Sequence, residues 1–488
     1  MSVKFTSKLA PTIGFFCLAI SAHAASLPAA VSQELKKAHI PQSGIAVEVR
    51  EVGKHASLIS INTQRAMNPA STMKLLTTFA ALDLLGPAYT WKTEAWIDGE
   101  LKDGVLNGDL ILKGYGDPKF TIEQFWLWLG ELRARGLREI RGDLVLDRSY
   151  FDLPPYDPAK FDNDPVRAYN VSPDALLLNF NTLRLRYLPD GNNLKVVSEP
   201  PLDGVTVDNR LAPNGDQVNC DNWDDQFSVQ PIGDSVVLAG DYPTGCGERE
   251  QNLSVMPHTR YVEALFRAVW QELGGTLRGK QRDGVVSGNA KLFSVHRSDP
   301  LSAIIRDINK FSNNVMARQL FLTLGEAGPV FDEPLLTNEN AQDRFNSHPL
   351  SIDRSIFTMQ TWLARNQLDF KEVVLENGAG LSRQERISAA HMAQLLQHAY
   401  DHPLSAELQA SLPILGVDGS VRKRLKESPA ASHAHLKTGT LEGVKTIAGY
   451  VRSKNGKEWI VVFLINHPYA MGGQDAQDAL IEWVQRQH

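Results

Sequence analysis

Asn68-Pro-Ala-Ser-Thr-Met-Lys-Leu-Leu-Thr-Thr-Phe-Ala-Ala-Leu-Asp-Leu-Leu85 is the stretch around which the rest of this 488-residue sequence is arranged. Its apolar residues recur broadly at the spacing of a buried helix, which predicts a helix that begins near Ser71. Lys74 follows one turn along the same face. A serine hydroxyl becomes a nucleophile when a nearby base takes its proton, and a lysine is such a base where burial or a neighbouring cation lowers its pKa. Ser71 and Lys74 are therefore a candidate catalytic pair.

The same pair has a plainer interpretation, in which Ser71 only caps the helix and Lys74 is solvated. Ser-x-x-Lys is a weak pattern, and the sequence contains another example at Ser420 and Lys423. Other parts of the chain must therefore decide between the two interpretations.

The first 24 residues have the features of a secretory signal. Lys4 and Lys8 form a basic region, residues 13–20 form a short apolar core, and Ala22-His-Ala24 is a small-x-small cleavage site. No later apolar run reaches the length of a membrane span, so we expect an exported protein without a transmembrane segment. A formal charge of −6 gives no reason to expect nucleic acid as a partner.

Two cysteines remain after the predicted signal is removed, Cys220 and Cys246. In an oxidising compartment, such a pair is most simply a disulfide. A metal site would need more ligands nearby than this pair offers.

The order of predicted elements indicates an α+β fold interrupted by an insertion. A helix and two strands precede Ser71, and three strands and a helix end the chain. These distant parts are expected to form one sheet, and the helices at both termini could cover one face of it. The predicted domains are the signal at 1–24, a catalytic core at 25–88 and 260–488, and a β-rich insertion at 89–259, with two subdomains.

A second candidate motif is Ser312-Asn-Asn314. Ser-x-Asn is nearly uninformative alone, since it also occurs at 60–62, 287–289 and 453–455. Only Ser312 lies at a break between two strongly helical segments, where both side chains can point into a cleft. The alternative is an ordinary helix cap with a turn asparagine.

A third candidate motif, Lys437-Thr-Gly-Thr440, lies on a predicted strand and occurs once. Gly439 would let a substrate backbone approach closely, and Lys437 with the threonine hydroxyls would present donors to an anionic ligand. The alternative is an edge strand whose lysine prevents further strand pairing.

Together and in this order, the three motifs match the set of the penicillin-recognising serine enzymes. The long gap between Lys74 and Ser312 narrows the match. The mature chain resembles the class C low-molecular-mass penicillin-binding proteins, the D-Ala-D-Ala carboxypeptidase/endopeptidases of the penicillin-binding protein 4 type. The further stretches that carry this resemblance are Gly114-Tyr-Gly-Asp-Pro118, Gly142-Asp-Leu-Val-Leu-Asp147, Asn377-Gly-Ala-Gly-Leu-Ser-Arg383 and Leu412-Pro-Ile-Leu-Gly-Val-Asp-Gly419. Asn377 is a departure, because the family usually has aspartate there.

The resemblance implies a penicillin-binding/β-lactamase-like transpeptidase core, which is an antiparallel sheet with helices on both sides, and acyl transfer on D-Ala-D-Ala-type peptides of peptidoglycan. In this scheme Ser71 is the nucleophile, Lys74 its base, Ser312 a proton relay and Asn314 a substrate-orienting residue. Lys437 supplies charge.

Substrate contacts follow from the same resemblance. Thr438, Gly439 and Thr440 would address the terminal carboxylate and the substrate backbone. Arg383 is a candidate for a substrate carboxylate, and Asp164 for a diaminopimelate side chain. Peptidoglycan peptides and β-lactam antibiotics are the implied partners, the periplasm is the implied compartment, and neither a metal nor an organic cofactor is called for.

Two rival functions share these motifs. A β-lactamase would need fast deacylation, and the large insertion argues against it. A non-catalytic cell-wall binding or β-lactam-sensing protein would not need the five motif residues intact. The sequence leaves open whether carboxypeptidase or endopeptidase activity dominates.

Overall fold

The computed structural model describes residues 26–191, 193–215, 219–328 and 349–487. The predicted signal, residues 1–24, lies outside these ranges. Within them, no helix is both long enough and apolar enough to cross a membrane.

The main sheet joins the two ends of the chain. In the described residues it has five antiparallel strands, and its spatial order is β16-β17-β18-β1-β2. The strands are β1 (Ile45–Glu51), β2 (Ser57–Ile61), β16 (Ala434–Leu441), β17 (Val444–Arg452) and β18 (Glu458–Asn466). The sheet predicted from the first two and last three strands is therefore confirmed.

Helices cover both faces of this sheet, as the α+β prediction required. Helices α1 (Ala29–Lys37) and α10 (Gln474–Gln485) pack on one face through a cluster that includes Val31, Leu480 and Val484. The helices of the other face are α2 (Lys74–Leu85), α5 (Leu301–Phe311), α6 (Asn314–Thr323), α7 (Ile352–Arg365), α8 (Ala389–Asp401) and α9 (Ser405–Ser411). The three chain segments that carry the motifs meet on this second side.

Helix α2 is buried on nearly all sides. A 3₁₀ turn, Ala70–Met73, leads into it, and each residue from Lys74 to Leu82 is buried. A helix that is apolar all round belongs inside a core. The turn before it is therefore held by packing, and Ser71 lies at the entrance to a fixed element.

The insertion is built on a mixed sheet of its own. Among the described residues this sheet has seven strands, in the order β13-β5-β4-β3-β15, with β6 paired to both β4 and β14. The strands are β3 (Lys92–Lys102), β4 (Val105–Gly114), β5 (Glu139–Ile140), β6 (Leu144–Asp147), β13 (Thr276–Leu277), β14 (Gln281–Asp283) and β15 (Lys291–Arg297). Helices α3 (Ile122–Ala134) and α4 (His258–Glu272) pack with it.

Two small sheets complete the insertion. One contains β7 (Leu183–Asp190), β8 (Asn193–Glu199) and β12 (Arg249–Leu253), and the other contains β9 (Thr206–Asn214), β10 (Phe227–Ile232) and β11 (Ser235–Pro243). Stacked rings of Tyr187 and Tyr242 connect the two sheets. Cys220 and Cys246 form a disulfide here, with Cα atoms 5.4 Å apart, as expected.

The packing of helix α4 bears on where the insertion ends, which was expected at residue 259. Helix α4 was predicted from its pattern, and it buries Phe266, Val269 and Trp270 in the insertion core rather than in the catalytic core. Strands β13 to β15 also belong to the insertion sheet. An amphipathic pattern shows that a helix has a buried face, but not which core receives it. We therefore propose an insertion that ends near residue 298 instead of 259.

Candidate active site

Ser71 follows a backbone position that non-glycine residues rarely adopt. Ala70 has φ +45°, and its N–H donates to the side chain of Asn68 at 2.8 Å. Two glycines lie against the next peptide unit: a Cβ at either Gly380 or Gly439 would come within 2.8 Å of the Ser71 nitrogen. Only residues without a side chain allow this approach, so the loop at 380 and strand β16 enclose the Ser71 backbone.

Lys74 is fully buried beneath Ser71. Its Nζ donates to Ser71 Oγ at 3.0 Å, to Asn314 Oδ1 at 2.6 Å, and to the carbonyl oxygen of Ala379. The solvated-lysine interpretation of this residue is therefore wrong. A single ammonium contacts the serine, the second motif and the loop at 379.

The pKa of Lys74 lies well below its ordinary value. Burial is the largest cause, and the charge of Lys437 acts in the same direction. The carboxylate of Glu385 opposes this shift. A lysine with a lowered pKa has a population of neutral amine that can accept the proton of Ser71.

Ser312 lies at a helix break, as predicted. It ends α5 in the left-handed conformation, with φ 57° and ψ 35°, and the side chain of Asn313 then caps α6 by accepting from Met316 N at 3.0 Å. This sharp change of direction places Ser312 and Asn314 on the same side of the break, where each contacts a motif lysine.

Lys437 is fully buried although β16 is an edge strand of the main sheet. Its Nζ donates to Ser312 Oγ at 2.8 Å and to the Thr438 carbonyl at 2.8 Å. Burial lowers the pKa of Lys437 to about 7. A lysine that protects a strand edge would be exposed, so that interpretation is wrong.

The rest of the third motif faces the opening of the site. The side chain of Thr438 is half-buried, and its Oγ1 lies 2.7 Å from Ser420 Oγ. Thr440 is exposed near the end of the strand. Ser420, the serine of the rival Ser-x-x-Lys pattern, therefore reaches the site through Thr438, while Lys423 points to solvent.

Glu385 is a site residue that no sequence pattern predicted. Its carboxylate is buried and accepts backbone N–H groups from a turn: Oε1 from Glu376 at 3.2 Å, Asn377 at 2.9 Å and Gly378 at 2.8 Å, and Oε2 from Gly380 at 2.9 Å. This turn, residues 376–380, carries the Ala379 carbonyl that accepts from Lys74. Glu385 thus holds in place the turn whose Ala379 carbonyl accepts a hydrogen bond from Lys74, the candidate base.

The departure at Asn377 leaves this turn closed. Its Oδ1 accepts from Ala379 N at 2.9 Å and its Nδ2 donates to the Leu381 carbonyl at 3.0 Å. The amide thus both accepts and donates within the same turn, so the turn does not depend on an aspartate.

Arg383 and Asp164 lie outside the motif cluster. Arg383 is exposed and stacks over Phe161, with 4.8 Å between its guanidinium carbon and the ring centre. Asp164 accepts from Arg167 Nε at 2.6 Å. Arg383 lines a cavity of about 650 Å³ beside the turn at 376–380, whereas the described structure does not bring Asp164 to the motif residues.

The geometry defines a class of site: a serine hydroxyl beside a buried lysine of lowered pKa, with a second serine–lysine pair facing it across a cleft. Such an arrangement supports nucleophilic acyl transfer. Within the described residues there is no group of three or more His, Cys, Asp or Glu side chains placed to hold a metal ion.

Comparison with known proteins identifies the family. The model of the D-Ala-D-Ala carboxypeptidase 3 (S13) family matches residues 27–487. The chain therefore belongs to this family. It is 24% identical to the D-alanyl-D-alanine carboxypeptidase DacB of Haemophilus influenzae over 99% of this chain and 98% of that protein. It is also 27% identical to a D-alanyl-D-alanine carboxypeptidase of Actinomadura sp. strain R39, over 89% of this chain and 80% of that protein.

A solved structure shares the fold. The crystal structure of penicillin-binding protein 4 from Haemophilus influenzae matches with a TM-score of 0.75 and 23% identity, over 92% of this chain and 99% of that one. The penicillin-binding/β-lactamase-like fold predicted from the motifs is thereby confirmed, with its insertion in place.

Proposed function

We propose that this protein is a serine D-Ala-D-Ala carboxypeptidase and endopeptidase that cleaves peptidoglycan stem peptides and cross-links through an acyl-enzyme. The observation that carries the proposal is the chain of contacts from Ser71 through Lys74 to Asn314, beside the Lys437–Ser312 pair. Its relatives in the S13 family, which have carboxypeptidase names, support the reaction class.

The first step is attack on the penultimate D-Ala carbonyl. Neutral Lys74 takes the proton of Ser71 as the Oγ–C bond forms. The oxyanion accepts hydrogen bonds from the backbone N–H groups of Ser71 and Thr440. Asn314 orients both the substrate and Lys74.

The amide bond then breaks, and the departing nitrogen receives a proton through Ser312. Lys437 donates to Ser312 Oγ, so its charge favours passage of a proton along this path. Water then attacks the acyl-enzyme, releasing the shortened peptide and restoring the Ser71 hydroxyl.

Substrate binding uses the open side of β16. Thr438 and Thr440 bind the terminal carboxylate, and Gly439 lets strand β16 lie against the backbone of Ser71, where a side chain would clash. Arg383 binds a second substrate carboxylate from its exposed position. The role of Asp164 in reading a diaminopimelate side chain stays a prediction, because its carboxylate is engaged by Arg167.

We place the protein in the periplasm after cleavage of residues 1–24. The disulfide between Cys220 and Cys246 supports an oxidising compartment. β-Lactam antibiotics mimic the D-Ala-D-Ala end and are expected to acylate Ser71. The resulting acyl-enzyme should be hydrolysed slowly.

Labelled penicillin tests the proposal on the mature chain. We expect a long-lived adduct on a peptide that contains Ser71, no adduct in Ser71→Ala, and an unchanged adduct in Ser420→Ala. Within the described residues the Ser71 side chain makes no cap hydrogen bond, so Ser71→Ala should keep the wild-type melting temperature. An adduct on Ser420 would overturn the assignment.

The same experiment separates the rival functions. A β-lactamase would release the label rapidly, and a non-catalytic binding or sensing protein would take up no label. Hydrolysis of purified muropeptides, with products resolved by mass, then measures carboxypeptidase and endopeptidase activity separately.

A further inference from the structure

A wide groove begins at the second motif and runs toward the insertion. Its volume is about 930 Å³, and Ser312 and Asn314 form its inner end. Phe311, which is 70% exposed, stands at one rim. Arg184 on β7 and Asn252 on β12 belong to the insertion side. The catalytic core and the insertion thus contribute one wall each.

Phe180 lines this groove in a conformation that a bulky residue rarely adopts. Its φ is +56°, and its neighbours Asn179 and Asn181 are also left-handed. Both asparagines are anchored in the insertion, since Asn179 Nδ2 donates to Tyr261 at 3.0 Å and Asn181 Nδ2 donates to a carbonyl at 2.9 Å. The surrounding structure therefore holds Phe180 against its backbone preference, as happens at sites shaped for a ligand.

The groove contains side chains of both charges. Arg184 lies 3.9 Å from Glu199, and both are largely exposed. Glu123, in the first turn of α3, is a further acidic side chain of the same surface. A ligand that carries carboxylates and amines along one chain matches this mixture, whereas a purely apolar or polyanionic ligand does not.

Chemistry assigns the position of the ligand. When the amide breaks, the nitrogen that departs must lie beside the group that protonates it, which is Ser312. In a pentapeptide this nitrogen belongs to a single D-alanine. In a cross-linked dimer it belongs to a whole second stem peptide, which must extend away from Ser312. The groove that starts at Ser312 provides this path.

We propose that the groove between the Phe311–Asn314 turn and strands β7 and β12 binds the leaving stem peptide of a cross-linked dimer. This inference rests on the proposed function and adds to it the determinant of endopeptidase activity. The cavity beside Arg383 is a separate one, lined further along α6 by Arg318 and Phe321, and we assign it to the stem that becomes the acyl group.

The register of β7 and β12 offers matched variants. Arg184 pairs with Asn252, and two residues further along the same strands Arg186 pairs with Glu250. The first pair lines the groove and the second does not. Asn252→Trp narrows the groove and Arg184→Ala removes a charge from it. Glu250→Trp adds bulk outside the groove, and Arg210→Ala on β9, where Arg210 pairs with Asp208 at 2.5 Å, removes a charge outside it.

The experiment compares hydrolysis of a purified cross-linked dimer with hydrolysis of a pentapeptide monomer by the mature chain. We expect Asn252→Trp to lower the dimer-to-pentapeptide ratio of kcat/KM by about tenfold, and Arg184→Ala by about threefold. Both controls should keep the wild-type ratio. Penicillin labelling per molecule measures the folded and active fraction of each variant.

An unchanged ratio in Asn252→Trp and Arg184→Ala would overturn the groove assignment, as would a wild-type protein that hydrolyses pentapeptide but not dimer. The first result leaves the proposed function standing, whereas the second leaves the carboxypeptidase activity standing and removes the endopeptidase activity. A wild-type protein without a penicillin adduct and without pentapeptide hydrolysis would instead refute the proposed function itself.

Discussion

Two regions of this molecule that contain buried cations differ in the surroundings of these cations. Near α10, Arg424 is mostly buried and donates to the carboxylate of Asp478 at 2.6 Å. In the catalytic cleft, Lys74 and Lys437 are completely buried. Their hydrogen bonds, within the described part of the chain, all end on neutral oxygens. One region pairs its buried charge with an opposite charge, and the other does not.

The difference explains why the cleft can do chemistry. An ammonium without a carboxylate partner has nothing to compensate the loss of water, so its pKa falls and its amine can act as a base. A paired guanidinium has no such freedom. The same arrangement costs stability, because a desolvated charge without a counterion disfavours the folded state. The cleft and the paired region should therefore respond in opposite ways to loss of their cations.

Replacement of each cation by methionine gives the largest expected effect. Lys437→Met should lower the rate of penicillin acylation at least about a hundredfold, because the charge beside Ser312 is lost. Its melting temperature should equal or exceed that of the wild type, because a desolvated charge leaves the core. Arg424→Met should keep the acylation rate and lower stability by about 3 kcal/mol, because Asp478 loses its partner. Acylation kinetics and thermal melts at pH 7 measure both.

The predicted difference between the unpaired and the paired cation would be wrong if Lys437→Met were as unstable as Arg424→Met. That result would mean that Lys437 contributes to stability through its hydrogen bonds more than its burial costs. Wild-type acylation in Lys437→Met would remove this lysine from the reaction.

The pH dependence of acylation is the next largest effect. Lys74 must be neutral to accept a proton, so the rate should rise with pH through its lowered pKa. Lys437 must be charged, and its pKa of about 7 means that this charge is lost as the pH rises further. The profile of the second-order rate constant should be bell-shaped, with limbs that change by about tenfold per pH unit. The two apparent values belong to the coupled pair rather than to either lysine alone.

A stability measurement checks the same assignment. An unfolded lysine titrates near about 10.4, and folded Lys437 titrates at about 7. Between these values the unfolded state binds more protons, so the free energy of unfolding should rise with pH across this window through this group. Lys437→Met should lack that contribution. A profile without a basic limb, together with an unchanged stability slope, would contradict the lowered pKa.

Glu385→Gln has a smaller expected effect on acylation. The carboxylate holds the turn at 376–380 by accepting its backbone N–H groups, and its charge raises the pKa of Lys74. Its own pKa is raised by burial, while the same N–H groups favour the charged form. The variant should lose about fivefold in maximal rate, and the acid limb of the pH profile should move to lower pH.

Glu372→Gln is the matched control for this prediction. Its carboxylate also accepts a backbone N–H, from Ser388 at 2.9 Å, but it does not contact Lys74 or the turn. Glu372→Gln should keep the wild-type maximal acylation rate and the wild-type position of the acid limb. A loss of rate in Glu385→Gln without movement of the limb would reduce Glu385 to a role in turn stability.

The motif residues could be predicted from the sequence because serine-based acyl transfer limits the residue types at these positions. Ser71, Lys74, Ser312, Asn314 and Lys437 were predicted, and the structure brings them together. The main sheet was also predicted, since alternating apolar residues at both ends of the chain require a common partner.

Two features of the structure could not be predicted from the sequence, and the reasons are physical. Glu385 acts through backbone N–H groups, which every residue type offers, so its role leaves no pattern in the sequence. The insertion boundary depends on which of two cores receives helix α4, and apolar periodicity is the same in either case. Both features are set by tertiary packing.

The disulfide should have the smallest effect on acylation, and it extends the comparison to the insertion. Cys220 and Cys246 close a 26-residue separation in the small sheets, away from all three motifs. A loop of this length contributes about 3 kcal/mol, mainly by restricting the unfolded chain. Replacement of both cysteines by serine should therefore lower the melting temperature while the penicillin acylation rate stays within about twofold of the wild type.

The dimer-to-pentapeptide ratio is the more sensitive readout, because β7 and β12 form one wall of the groove and pack beside the bonded segment through Tyr187 and Tyr242. A parallel loss of acylation and stability would mean that the cleft depends on the insertion for its geometry. If only stability and dimer cleavage fall, the cleft keeps its geometry without the disulfide, and the insertion wall of the groove is needed only for cross-linked substrates.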